Sequence, residues 1–225
     1  MLNEDRVIFL LDVDNTLLDN DRFAQDLGDR LESSFGAAER ARYWEIFARR
    51  REALGLADYL GALQDFRIGL DDHPQLLEMS DFLLEYPFAS RLFPQALEAI
   101  AHVRTFALPV VLSDGDIVFQ PRKIHRSGIW TAAEGRVLIY LHKEKVLDHM
   151  QQRYPARHYV MVDDKANLLA AMKLVLGARL TTVFVHQGHY ARAAESKSAQ
   201  PAPDLTIERI GDLHNHNLTD FKVRP

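Results

Sequence analysis

Val7-Ile8-Phe9-Leu10-Leu11-Asp12-Val13-Asp14-Asn15-Thr16-Leu17 sets two carboxylates, two residues apart, at the end of an apolar, β-rich run. Asp and Asn are ordinary turn formers, and a strand ending in a solvated turn would account for Asp14 and Asn15. It does not account for Asp12, which lies inside the apolar run. Burying a carboxylate costs several kcal/mol unless a cation or hydrogen-bond donors compensate. The stretch therefore predicts a buried strand over residues 7–13 that delivers acids to a site.

Three more β-rich runs follow, at residues 108–112, 158–162 and 180–185, each leading into polar residues or a helical pattern. Helical periodicity covers residues 94–104, with Pro94 in its first turn, then 143–153, and then 166–176, which Gly177 stops. Strands alternating with helices predict an α/β fold, a parallel sheet covered on both faces. Its site should lie beyond the carboxyl ends of the strands. Residues 19–90 differ, being almost wholly helical in pattern, with amphipathic stretches at 23–35, 39–54 and 75–84. They predict an inserted α-helical cap domain (19–90) interrupting a core made of residues 1–18 and 91–225. Residues 192–203 read as a mobile loop and 205–210 as a last edge strand. There is no internal repeat.

Three other segments carry chemistry. Val110-Val111-Leu112-Ser113-Asp114-Gly115-Asp116 brings a hydroxyl to a strand end, with a glycine that permits a tight turn. Lys143 opens a predicted helix, where its charge opposes the helix dipole, so an anionic partner would explain it; Lys145 is the alternative. Val160-Met161-Val162-Asp163-Asp164-Lys165 ends a third strand in adjacent acids, which repel unless a cation sits between them or one takes a proton. Hard divalent ions with oxygen ligands suit such a cluster, and Mg2+ is the usual one beside phosphate.

A strand ending Asp-x-Asp-x-Thr, then a strand-end Ser, a helix-opening Lys and a strand-end Asp-Asp is the motif order of the haloacid dehalogenase-like hydrolases, which this chain resembles. Leu92-Phe93-Pro94…Glu98-Ala99 is similar to the entry helix before the second motif. The resemblance implies a Rossmann-like core with a helical cap. It implies Asp12 as the nucleophile that forms an aspartyl-phosphate, and Asp14 as general acid and then general base. It makes the Asp12 carboxylate, the Asp14 carbonyl and Asp164 ligands of Mg2+, with Asp163 in support. Ser113 would hydrogen-bond the phosphate, Lys143 would neutralise charge, and Asn15, Thr16, Asp114 and Gly115 would line the substrate site. Asp-Gly-Asp after Ser113 departs from the usual Asn-Gly, Lys143 lacks a following proline, and Asp163-Asp164-Lys165 replaces Gly-Asp-Ser.

The 225 residues, 47% apolar and 26% charged, are ordinary for a globular chain. A formal charge of −5 argues against a broad nucleic-acid surface, and the absence of cysteine excludes disulfides and thiolate metal sites. The apolar run at residues 7–11 is too short for a membrane span or a signal-peptide core. A cytoplasmic protein is expected, with a small phosphorylated substrate and neither a nucleic-acid nor a membrane partner. His186 and His189 read as an exposed loop on the catalytic side, with substrate contact as the alternative. His214 and His216 read as tail surface, Arg49-Arg50-Arg51 as a helix end, and Tyr43, Trp44 and Phe47 as cap core. The leading function is a Mg2+-dependent phosphatase. A phosphomutase or phosphotransferase using the same intermediate is an alternative, and a non-catalytic phosphate-sensing module is another.

Overall fold

Alternate residues of the first strand, β1 (Val7–Leu11), enter two different apolar cores. Phe9 and Leu11 face one and Ile8 and Leu10 the other, as the two-residue period of a strand requires. The computed structural model describes residues 6–70, 72–193 and 198–221. Within them, β1 is a central strand of a six-stranded sheet. The others are β2 (Leu108–Asp114), β3 (Val137–Tyr140), β4 (His158–Asp163), β5 (Leu180–Val185) and β6 (Leu205–Ile207). The spatial order is β3-β2-β1-β4-β5-β6, and every pair is parallel. The chain winds outward from β1 through β2 and β3, then crosses to β4 on the other side. Its topological switch therefore falls between β1 and β4, where ligands of such sheets bind.

Helices α5 (Ala96–Val103), α6 (Phe119–Arg126) and α7 (Ile129–Ala132) bury their apolar residues in the core that holds Phe9. Helices α8 (Leu147–Arg153), α9 (Ala166–Leu176) and α10 (Gly188–Arg192) contribute to the core on the Ile8 side. Between β1 and β2 stand α1 (Asn20–Phe35), α2 (Ala37–Leu54), α3 (Tyr59–Phe66) and α4 (Gln75–Glu85). Asp19 caps α1 by accepting from Arg22 N at 2.9 Å, and Asp58 caps α3 by accepting from Gly61 N at 2.8 Å. The insertion is seated on the sheet: Phe23, Leu27, Tyr43, Tyr59 and Leu83 belong to the same apolar cluster as Phe9 and Val111.

The insertion leaves and re-enters the core through paired backbone. Asp19 N donates to Arg91 O at 2.7 Å, Phe93 N donates to Leu17 O at 3.0 Å, and Leu18 and Leu92 form an antiparallel bridge. Arg126 of α6 adds a charged tie to Glu85 at 2.8 Å. None of the helices among the described residues is long and apolar enough to cross a membrane.

Several expectations need correction. The strand expected over residues 7–13 ends at Leu11, because the N–H groups of Thr16, Leu17 and Leu18 all turn back to Val13 O. β2 and β4 run further than expected, to Asp114 and Asp163. The helix expected over 143–153 starts only at Leu147; Lys143–Lys145 is a separate 3-10 turn, so the helix-dipole argument for Lys143 does not apply. The last edge strand stops at Ile207, and a 3-10 segment, Ile210–Asn215, follows. Strand β3 and the short helices α7 and α10 were not anticipated. Of the loop expected at 192–203, residues 194–197 lie outside the described residues.

Phe9 is fully buried, with the rings of Phe221 and Phe106 edge-on at 4.8 and 5.7 Å. Phe9→Ala should cost about 3–5 kcal/mol in urea unfolding. A loss below ~1 kcal/mol would contradict the packing described.

Candidate active site

Strand register decides which acids meet. Leu11 pairs with Val162, so Asp12 is level with Asp163, and Asp12 N donates to Val162 O at 3.0 Å. Leu11 also pairs with Val111, which puts Ser113 one residue beyond the level of Asp12 on the other side. Asp12, Ser113, Asp163 and Asp164 are all buried at these strand ends.

Lys143 is the cation of the cluster. Its side chain is wholly buried, and Nζ donates to Asp12 Oδ1, lies 2.7 Å from Asp163 Oδ2 and reaches Leu112 O at 3.3 Å. Burial alone pulls its ammonium down, but the charges of Asp12, Asp163 and Asp114 outweigh that and hold it well above the usual lysine range. Asp114 positions the same residue, since its Oδ1 accepts from Lys143 N at 2.7 Å. This bond and the inward pull of the acids explain why the backbone turns tightly at Lys143 instead of starting the helix. Lys145 is exposed, which settles the alternative in favour of Lys143.

The acids remain under-compensated. Asp163 Oδ1 accepts from Lys165 N at 2.8 Å and its Oδ2 faces Lys143. Asp12 Oδ2 and both oxygens of Asp164 are buried with no hydrogen-bond partner among the described residues. Burial, with the charges of Asp163 and Asp12 added to it, pushes the Asp164 carboxyl far above the usual carboxylate range. Five carboxylates (Asp12, Asp14, Asp114, Asp163 and Asp164) gather around three ammonium groups, those of Lys123, Lys143 and Lys165. Protons or a divalent cation must supply the difference. Asp12, Asp163 and Asp164 can each offer one oxygen within 4.8 Å of the others, so these residues can hold such an ion.

Asp14 has a different environment. Its carboxylate is 27% exposed and accepts from Lys123 Nζ at 2.8 and 3.0 Å and from Gln120 Nε2 at 3.3 Å. It opens on a cavity of about 200 Å³ walled by Trp44, Phe47 and Tyr59 of the insertion and by Asp114, Lys165 and Tyr190. Ser113 Oγ accepts from the same Gln120 at 2.9 Å. Gly115 passes so near that a Cβ there would lie 2.7 Å from that of Gln120.

Asn15 lines the same cavity and also braces the chain around it. Its backbone N–H donates to Leu18 O, and its side-chain oxygen accepts from Asn20 N and Asp21 N at 3.1 and 3.2 Å, which ties down the start of α1. Thr16 is buried, its Oγ1 has no partner among the described residues, and its carbonyl accepts from Gln187 Nε2 at 3.1 Å.

Of the weaker candidates, His189 sits on α10 and not in a loop, contacts Asp21 through both its backbone N–H and its ring, so joining α10 to α1, and lines the cavity. His186 is exposed and faces Glu208 at 3.2 Å. His214 stacks on His102, and the metal-competent cluster among the described residues contains neither His214 nor His216. Arg50 is spent on Asp58 and Asp65, whereas Arg51 reaches the cavity and lies 5.4 Å over the Tyr190 ring. Tyr43 is core, but Trp44 and Phe47, expected there too, also form cavity wall.

Gln120 and Lys123 were not anticipated. With Phe119 and Ile124 they make up the buried stripe of α6, and two polar residues on a core stripe are a signal the sequence did contain.

No family model matches the chain, and neither does any of the curated proteins. Solved structures do. A protein of Burkholderia xenovorans LB400 described as a haloacid dehalogenase-like hydrolase is 56% identical, covering 96% of this chain and 98% of its own, with a TM-score of 0.89. The Bacillus subtilis HAD-hydrolase YfnB, solved bound to magnesium, is 16% identical over 95% of this chain and 98% of its own (TM-score 0.61). An L-2-haloacid dehalogenase is 15% identical over 94% and 98% respectively (TM-score 0.61). The last two likenesses concern the fold alone. With more than half its residues shared along nearly the full length of the Burkholderia protein, and with the acids, serine and lysine of the four motifs gathered at one sheet edge, the chain belongs to the haloacid dehalogenase-like hydrolases.

Proposed function

We propose that this hydrolase is a Mg2+-dependent phosphatase of small phosphomonoesters, working through an aspartyl-phosphate on Asp12. The observation that carries the reading is the contrast between two carboxylates two residues apart. Asp12 is buried, with one oxygen on Lys143 and the other unpartnered, whereas Asp14 stands at the cavity wall. Such a pair divides the work between nucleophile and acid–base group. A halide leaving group needs no proton, so the presence of Asp14 favours an oxygen leaving group.

The unpartnered oxygens of Asp12 and Asp164 fit a divalent cation, and the family resemblance would add the Asp14 carbonyl as a further ligand. Asp163, with both oxygens engaged, supports from behind. When bound, Mg2+ supplies positive charge that lets a carboxylate approach a phosphoryl group. In the first step an Asp12 oxygen bonds to phosphorus while the bond to the ester oxygen breaks, and Asp14 gives its proton to that oxygen. In the second, Asp14 takes a proton from water, whose oxygen bonds to phosphorus as the Asp12–phosphorus bond breaks, releasing inorganic phosphate. Lys143 lowers the charge on Asp12 and the phosphoryl oxygens throughout. The seated insertion excludes bulk water, and a cavity near 200 Å³ favours a small ester.

Asp12→Asn should reduce hydrolysis of p-nitrophenyl phosphate in Mg2+ by at least about 10³-fold while circular dichroism stays unchanged. If the wild-type protein is inactive on a broad phosphate panel with Mg2+, the sensing alternative replaces this reading. If phosphate release falls as an added alcohol acceptor gains the phosphoryl group, a transferase does.

Asp14→Asn should cost on the order of 10²–10⁴-fold in kcat on an alkyl phosphate and far less on an activated aryl phosphate. Matched losses on the two esters would remove its acid role.

Metal-free stability should depend on Asp164. Because its carboxyl is raised in the folded state, the unfolded chain ionises first as pH climbs above about 4, and folding stability falls from there upward. Asp164→Asn should therefore raise the metal-free Tm, by about 2–4 °C for each kcal/mol relieved, and more at pH 8 than at pH 5. Mg2+ should raise the wild-type Tm, increasingly toward pH 8, and leave Asp164→Asn nearly unmoved. Equal Mg2+ shifts in the two proteins would exclude Asp164 as a ligand.

A further inference from the structure

The buried stripe of α6 carries a lysine that the chemistry above does not use. Lys123 is 1% exposed, and all three protons of its ammonium have acceptors: Asp14 Oδ1 at 2.8 Å, Asp14 Oδ2 at 3.0 Å and Asn20 Oδ1 at 3.0 Å. Around Nζ stand the rings of Phe119, Tyr59, Phe23 and Phe88, at 5.5 to 6.0 Å. A methionine would fill that aromatic cage without burying a charge, and a buried ion pair is a weak source of stability compared with good apolar packing. The lysine is best explained by the carboxylate it holds.

We propose that Lys123 is the positioning residue of Asp14, and that the helical insertion reaches the chemistry through it. Asp14 alone could turn about its side-chain torsions, since more than a quarter of it faces the cavity. Lys123 grips both of its oxygens from one side, and Gln120, also bonded to Ser113, adds a second hold on Oδ2. The cage is completed from two directions. Phe119 belongs to α6, whereas Phe23 and Tyr59 lie on α1 and α3 and Phe88 on the 3-10 turn Phe88–Arg91 that ends the insertion; Asn20 opens α1 and donates to Tyr59 Oη at 3.2 Å. With the insertion lifted, Lys123 loses Asn20 and three of four rings, and its ammonium becomes solvated. Asp14 is then held firmly only when the insertion is seated. This inference rests on Asp14 being the acid–base group.

The test compares the full-length wild-type protein with Lys123→Met, Lys123→Arg and Asn20→Ala on an alkyl phosphate and on p-nitrophenyl phosphate, with kcat and KM separated. Lys123→Met should lower kcat on the alkyl ester on the order of 100-fold, as expected when a reacting group is misplaced. On the aryl ester the loss should stay within about fivefold, and KM should change little on either. Lys123→Arg should recover part of the alkyl-ester activity, and Asn20→Ala should show a smaller loss with the same leaving-group bias. Equal losses on both esters, or a change confined to KM, would mean that Lys123 is structural or binds substrate, and would overturn the proposal. A second readout needs no turnover. In 15N-labelled wild-type protein, Lys123 should give a solvent-protected ammonium signal that is absent from Lys123→Met and shifts in Asp14→Asn. A signal indifferent to Asp14→Asn overturns the positioning role even in an active enzyme. A wild type inactive on both esters instead refutes the phosphatase reading, and the signal still reports whether Lys123 holds Asp14.

Discussion

One ammonium group holds the site together. Lys143 is taken wholly out of water, and Asp12 and Asp163 at its tip, with Asp114 nearby, make that tolerable. The parallel register of β1 and β4 brings those two acids level, so pairing in the sheet and charge in the site depend on each other. Shifting either strand by one residue would turn Asp12 or Asp163 toward the opposite face and strand the lysine. The acids left over, Asp164 above all, leave these strand ends with a charge that protons or a further cation must offset.

A second layer of order comes from the insertion. Its aromatic residues share one apolar core with the sheet, so the four helices are packed onto the site and not merely tethered near it. Three polar ties run along the same seam: Lys123 to Asn20, Asn15 to the first turn of α1, and His189 to Asp21. They join the turn after β1, α6 and α10 to the beginning of α1, so the start of that helix is where the insertion meets the strand ends.

Much of this was legible in the sequence because the motif residues sit where a simple pattern points. An apolar run that contains an acid, as at Asp12, or ends in a pair of them, as at Asp163-Asp164, states its own electrostatic problem. Strand β3 was missed because it is four residues long and half-buried throughout, and so lacks alternation. Lys143 was placed correctly as a partner of the acids but for a wrong reason, since its contacts are tertiary and its backbone is not helical. Asn15 lines the cavity, but its positive φ of 63° and its bonds to α1 depend on the turn that follows β1, which no local motif spells out. The stripe of α6 marked Lys123 and Gln120 as polar residues on a buried face, but their partner Asp14 lies more than a hundred residues away, a distance that no local pattern spans.

The antiparallel bridge between Leu18 and Leu92 has a mechanical and an evolutionary side. Where the two crossings are stitched together, the outgoing and returning chains are held side by side at a single neck. A loop closed at its own neck can also change in length or content at little entropic cost to the framework beneath it. Natural variation could therefore rewrite much of what lies beyond the neck, apart from the residues such as Asn20 that meet Lys123, while the strands that carry the acids keep their alignment.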